Sequence, residues 1–133
     1  MAEVIVYHNP DSMGYPASQV VEPVILTNKR VSKDAVGDRI WLITGDGKPR
    51  KFFLRGFFIA TNVESGEEEG FRTRVMGVNE HFFSPMIELK GAWFEDLKRS
   101  QGNFAFGYQV VTEGRFVQGL EKAAELGNPR RRS

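Results

Sequence analysis

The sequence predicts a single α+β domain, rich in β-strand, of the barrel or sandwich kind. Three observations predict it. The chain has 133 residues, a length that suits one domain around one core. Short runs of β-branched and aromatic residues recur, separated by glycine, proline, asparagine and aspartate. In the last third the apolar period lengthens to that of a helix. Residues 1–127 are expected to form the domain, and Asn128 to Ser133 a basic tail or linker.

The elements follow in order. Val4 to Tyr7 is a first strand, closed by the turn chemistry of His8-Asn9-Pro10-Asp11. Ser12 to Val21 suits a loop with one helical turn, and Val24 to Thr27 a second strand. Ser32 is placed to cap a short turn. Arg39 to Thr44 is a third strand, in which Trp41 is expected to fill a barrel interior. Gly45 to Pro49 is a turn. Arg50 to Val63 is the longest strand signal, with Gly56 marking a bulge. Glu64 to Gly70 reads as an exposed hairpin loop, and Phe71 to Val78 as the returning strand. Trp93 to Lys98 is a short amphipathic helix, and Val110-Val111 a last short strand. Glu113 to Leu126 is a helix with Phe116, Val117, Leu120, Ala123 and Ala124 on one face. Thr112 would cap it, and Gly127 would stop it. Phe52, Phe57, Ile59 and Phe116 are expected in the core.

Composition narrows the chemistry. Apolar residues make up 41%, too many for wholesale disorder. No run approaches the roughly 20 apolar residues of a membrane helix, and the start does not read as a secretory signal. A cytoplasmic location without a membrane partner is expected. Cysteine is absent, which removes disulfides, thiolate metal sites and cysteine nucleophiles. The two histidines lack metal-ligand spacing, so no metal is expected. There is no nucleophile elbow, phosphate loop or zinc-protease motif, and Gly45-Asp46-Gly47 sits in a hairpin. No catalytic residue, no cofactor and no enzyme activity are expected of this chain.

The net charge of +1 hides segregation. Glu64, Glu67, Glu68 and Glu69 form an acidic run. Lys48, Arg50, Lys51 and Arg55 form a basic cluster, followed by Arg72 and Arg74, then Lys98 and Arg99. Such cations suit either a solvated surface or a phosphate-holding face, and a period of two puts Arg72 and Arg74 on one sheet face. Lys48, Arg50, Lys51, Arg72, Arg74, Lys98 and Arg99 are the phosphate-binding candidates. Aromatic and polar residues also mix at Tyr7-His8-Asn9, Trp93-Phe94, Ser100-Gln101 and Asn103-Phe104. Flat rings stack on bases, and amide groups read base edges, so Tyr7, His8, Asn9, Trp93, Ser100, Gln101 and Asn103 suit a pocket for an extruded base. Trp93 fits pocket or core, and His8 fits a base ligand or a turn residue bonded to backbone.

The order of segments resembles the EVE domain of the PUA superfamily, relatives of the YTH readers. The similar parts are Val4 to Asn9, then Leu26-Thr27-Asn28-Lys29-Arg30, and a turn into Val36-Gly37-Asp38-Arg39-Ile40-Trp41-Leu42. The long strand Phe52 to Ala60 and the closing Ser100-Gln101-Gly102-Asn103-Phe104 complete the match, which spans most of the chain. The resemblance implies a small, partly open β-barrel flanked by short helices. It implies binding of a modified base, such as methylated or hydroxymethylated cytosine or methyladenine, in an aromatic-lined cavity. It adds Thr27, Asn28, Phe94 and Phe104 to the pocket candidates. Bacterial EVE-like domains also occur fused to restriction nucleases, which implies DNA over RNA and a nuclease as partner. The segment Asp11 to Glu22, with Met13, Gly14 and Tyr15, departs from the more regular helix the family leads one to expect. Two other readings stay open. One is a small-molecule or protein-interaction module on the same barrel. The other is an enzyme with scattered residues, which needs His8 or a carboxylate buried in the cavity with a displaced pKa.

Overall fold

The computed structural model describes residues 1–29, 35–68, 70–104 and 107–127, and of residues 67, 68 and 72 the backbone alone. The expected cap at Ser32 and the basic tail of 128–133 lie outside the described residues. The strands are β1 (Glu3–His8), β2 (Val24–Thr27), β3 (Arg39–Asp46), β4 (Lys51–Glu68), β5 (Phe71–Leu89) and β6 (Tyr108–Val111). The α-helices are α1 (Pro10–Met13), α2 (Ala92–Ser100) and α3 (Gly114–Leu126). The strands form one sheet in the order β2-β5-β4-β3-β1-β6, curled into a half-barrel. Only the β1–β3 pair is parallel among the paired strands.

Curling needs strands that bend. The β4–β5 hairpin supplies them, with register shifts at Leu54/Gly56, Phe57/Ile59, Ala60/Asn62 and Ser65/Glu68. Each shift adds local twist and turns the strand toward the next sheet direction. The bulge foreseen at Gly56 is among them. The hairpin is longer than its sequence indicates, since β4 runs on through Glu68 and β5 starts at Phe71, with two residues between them. At Gly77 β5 lies directly on β4, and a Cβ there would run into the Ile59 carbonyl oxygen.

Alternation along the strands sorts the core onto two faces. Ile5, Trp41, Ile43, Leu54 and Leu89 face the helices, packing under Phe94 and Leu97 of α2 and Phe116, Leu120 and Ala123 of α3. Val4, Val6, Ile25, Ile40, Leu42, Phe58, Ala60 and Val75 cluster on the other, strand-only face. Trp41 therefore packs beneath the helices, not in the barrel interior. It shares a strand phase with Ile43, and its Nε1 donates to Glu3 Oε1 at 2.8 Å. Phe52, Phe57 and Ile59 are half-buried, whereas Phe116 is fully buried. Glu113, not Thr112, precedes the first turn of α3, and no side chain caps it. Gly127 ends α3 as foreseen.

Arg55 belongs to the interior rather than to a surface cluster. Only 5% of it is exposed. Its Nε and Nη2 donate to the Val20 carbonyl and its Nη1 to that of Phe83. A buried guanidinium needs such acceptors, because desolvation otherwise makes its charge costly. Here they tie the segment after α1 to the sheet. No helix among the described residues is long and apolar enough to cross a membrane.

Candidate functional site

The ends of β1 and β2 meet at one rim of the half-barrel. There a cavity of about 630 Å3 opens, lined by Tyr7 and Asn9, by Thr27, Asn28 and Lys29, and by Arg50, Phe71, Asn103 and Phe104. Volumes of this order hold small ligands. Its lining carries two cations, Lys29 and Arg50, and no carboxylate among the described residues.

Local chemistry fixes each group. Asn9 caps α1, its Oδ1 accepting from the Asp11 amide at 3.0 Å, which leaves its amide nitrogen to offer. Thr27 Oγ1 accepts the Lys29 amide at 3.0 Å, folding the chain back after β2. Tyr7 and Phe104 stack with centroids 5.4 Å apart and planes 3° apart. Arg50 Nη1 donates to the Tyr7 hydroxyl at 3.2 Å. Both groups lie over Gly45, where any Cβ would strike them. Burial pushes the Tyr7 phenol above its ordinary value, with the Arg50 cation acting against that shift.

Asn103 enters the wall through an unusual backbone. Gly102, Asn103 and Phe104 all have positive φ, at 58°, 56° and 63°. Glycine and asparagine tolerate this conformation, but a bulky side chain does not without cost. Phe104 holds it because its ring is locked by Tyr7, Phe52 and Phe94.

The remaining candidates lie elsewhere. Phe94 is 1% exposed in the helix-face core. Trp93 lies against Gly119 of α3 and edge-on to Phe94, so its ring serves the contact between α2 and α3. Neither lines a described cavity. Ser100 Oγ donates to the Leu97 carbonyl. Gln101 is buried, and its Oε1 has no hydrogen-bond partner among the described residues. Of the phosphate candidates whose side chains are described, Arg50 alone lines the rim cavity. Lys48 and Lys51 are exposed near it in sequence, at the β3–β4 turn. Lys98 pairs with Glu95 and lies over the Phe52 ring, and Arg99 pairs with Asp96. Arg74 is half-buried on β5, opposite Leu26 and Glu64, and the side chain of Arg72 is outside the described residues. Lys29 and Phe71 complete the cavity without having stood out in the sequence. Phe71 could have been found only from the β2–β5 register, which the sequence does not give.

His8 takes a different direction. It is 6% exposed and faces a second cavity of about 590 Å3 on the strand-only face. Its Nε2 donates to the Tyr15 carbonyl at 2.8 Å. Burial lowers its pKa below the ordinary value of 6.5, with the Tyr15 bond acting the other way. The two cavities share Val6, Tyr7, Met13 and Leu26 as walls. No group of three or more His, Cys, Asp or Glu that could hold a metal occurs among the described residues. The chain matches no known family model and no curated protein.

Proposed function

We propose that this chain binds nucleic acid at the rim cavity, receiving there a base extruded from its strand, and that it has no catalytic role of its own. The observation that carries the reading is the make-up of the lining. Amide and hydroxyl groups of Asn9, Thr27, Asn28 and Asn103 stand with the rings of Tyr7 and Phe71, beside Lys29 and Arg50 and without a carboxylate. Amides can read a base edge, rings can stack on it, and cations can hold the phosphates. The resemblance to EVE domains supports a modified base, DNA over RNA, and service to a restriction nuclease.

Fluorescence anisotropy with plain, methylated and hydroxymethylated oligonucleotides across a salt series tests it. Affinity should fall with salt and be highest for one modified oligonucleotide. Arg50→Ala should weaken all sequences alike and reduce the log–log salt slope by about 1. Asn28→Ala should instead narrow the gap between modified and plain strands. Failure to bind any oligonucleotide at low salt ends the proposal. The second reading, a small-molecule module, draws on the His8 cavity, whose lining has no cation among the described residues.

A further inference from the structure

The His8 cavity has a chemistry of its own. Its volume, about 590 Å3, is that of a ligand site, and its walls are mostly apolar: Val6, Val20, Ile25, Leu26 and Leu42. The rings of Tyr7, His8 and Tyr15 supply flat surfaces along it. The lining holds no lysine or arginine, and its carboxylate, Glu22, is exposed to solvent. An anion would find no countercharge there, and a cation little beyond a screened one.

His8 is one of the polar residues of the cavity wall. A carbonyl can only accept, so the bond to Tyr15 requires His8 Nε2 to carry the proton. In the neutral ring Nδ1 is then an acceptor. Among the described residues Nδ1 makes no hydrogen bond, although His8 is more than nine-tenths buried. Nδ1 is not among the fully enclosed unpartnered atoms, so it keeps accessible surface from which it can accept a donor. It lies on a residue that faces an apolar chamber.

We propose that this chamber is a second binding site, for a neutral, flat heterocycle whose single N–H donates to His8 Nδ1. Arg55 positions the site, because its bonds to the Val20 carbonyl hold down the segment that covers the chamber. The site stands independently of nucleic-acid binding at the rim.

Two probes of nearly equal shape test it: indole, which has the donor, and 1-methylindole, which lacks it. Each is titrated to low millimolar concentration into isotope-labelled full-length protein. Indole should shift the amides of Val6, His8, Ile25 and Leu42 together with the His8 Nδ1 resonance. The methylated probe should bind about tenfold more weakly, the loss expected for one hydrogen bond made inside a binding site. No variant is needed for this comparison, so misfolding cannot obscure it. His8→Phe, if folded, should bind both probes alike. The proposal is overturned if indole fails to bind, if 1-methylindole binds as well or better, or if the shifts fall on Asn28 and Asn103 instead.

Discussion

The two faces of the sheet are filled in different ways. Under α2 and α3 the side chains interlock: Phe52, Phe94 and Phe104 touch one another, and Trp93 rests on Gly119. The strand-only face curls around Val6, Leu42 and Phe58 but leaves the His8 cavity, and a second cavity opens at the rim, where Tyr7 and Phe104 end the helix-side packing. Helices bring side chains from a second layer to fill the gaps in a sheet. A half-barrel that folds over itself has only its own residues and the loop after α1 to do so. Stability is thereby concentrated under the helices, and binding capacity on the strand-only face and at the rim.

The sharpest way to break that contrast is to truncate one residue under the helices and one on a cavity wall. Phe116→Ala should lower unfolding free energy by about 3–5 kcal/mol, measured from urea denaturation midpoints. Leu26→Ala, on a half-buried wall shared by both cavities, should cost no more than about 1 kcal/mol. Similar losses from the two would erase the distinction. Next in size, Arg55→Ala leaves the Val20 and Phe83 carbonyls without their donor. It should cost about 2–4 kcal/mol, given about 1–3 for each unsatisfied buried group. Amide exchange at Val20, which bonds to the Ala17 carbonyl, should accelerate before that of α3. Uniform acceleration would mean that Arg55 supports the whole fold and not the chamber's cover.

The smallest effects are titrations on the strand-only face. The His8 pKa is lowered by folding, so the unfolded chain takes up its proton first. Stability should be complete above about pH 6.5, fall below it, and level off once folded His8 is protonated. His8→Gln should remove that step in thermal midpoints measured from pH 8 to 5. At the alkaline end, burial beside Asp38 pushes the Tyr108 phenol up to about 12. Stability should decline from about pH 10 toward 12, because the unfolded phenol ionises first, and Tyr108→Phe should lessen the decline.

How much of this was legible depended on whether the signal was local. The strands stood out from their β-branched runs. The buried stripe of α3 stood out from the spacing of Phe116, Leu120 and Ala123, and the Gly56 bulge from a glycine in mid-strand. The face that Trp41 occupies could not be read, because phase along one strand says nothing about which side the helices cover. Trp93 was ambiguous for a similar reason: the Gly119 that receives its ring lies on another helix. At the site, Tyr7, Asn9 and Asn103 were legible as residue types, Thr27, Asn28 and Phe104 only through the resemblance, and the structure gathers these six at one rim. His8 held an unused clue. It follows Val4 and Val6 at a period of two, which extends the inward phase of β1 by one residue rather than opening a turn.

The placement of β1 bears on how the chain is made. It precedes the other five strands in the chain, yet its neighbours are β3, in parallel, and β6, the last of the six. Until Tyr108–Val111 arrives, one edge of Val4, Ile5 and Val6 is open to any other nascent strand. A product that stops short of β6 would keep that edge bare. Premature termination should therefore yield self-associating material and not a shortened version of the domain.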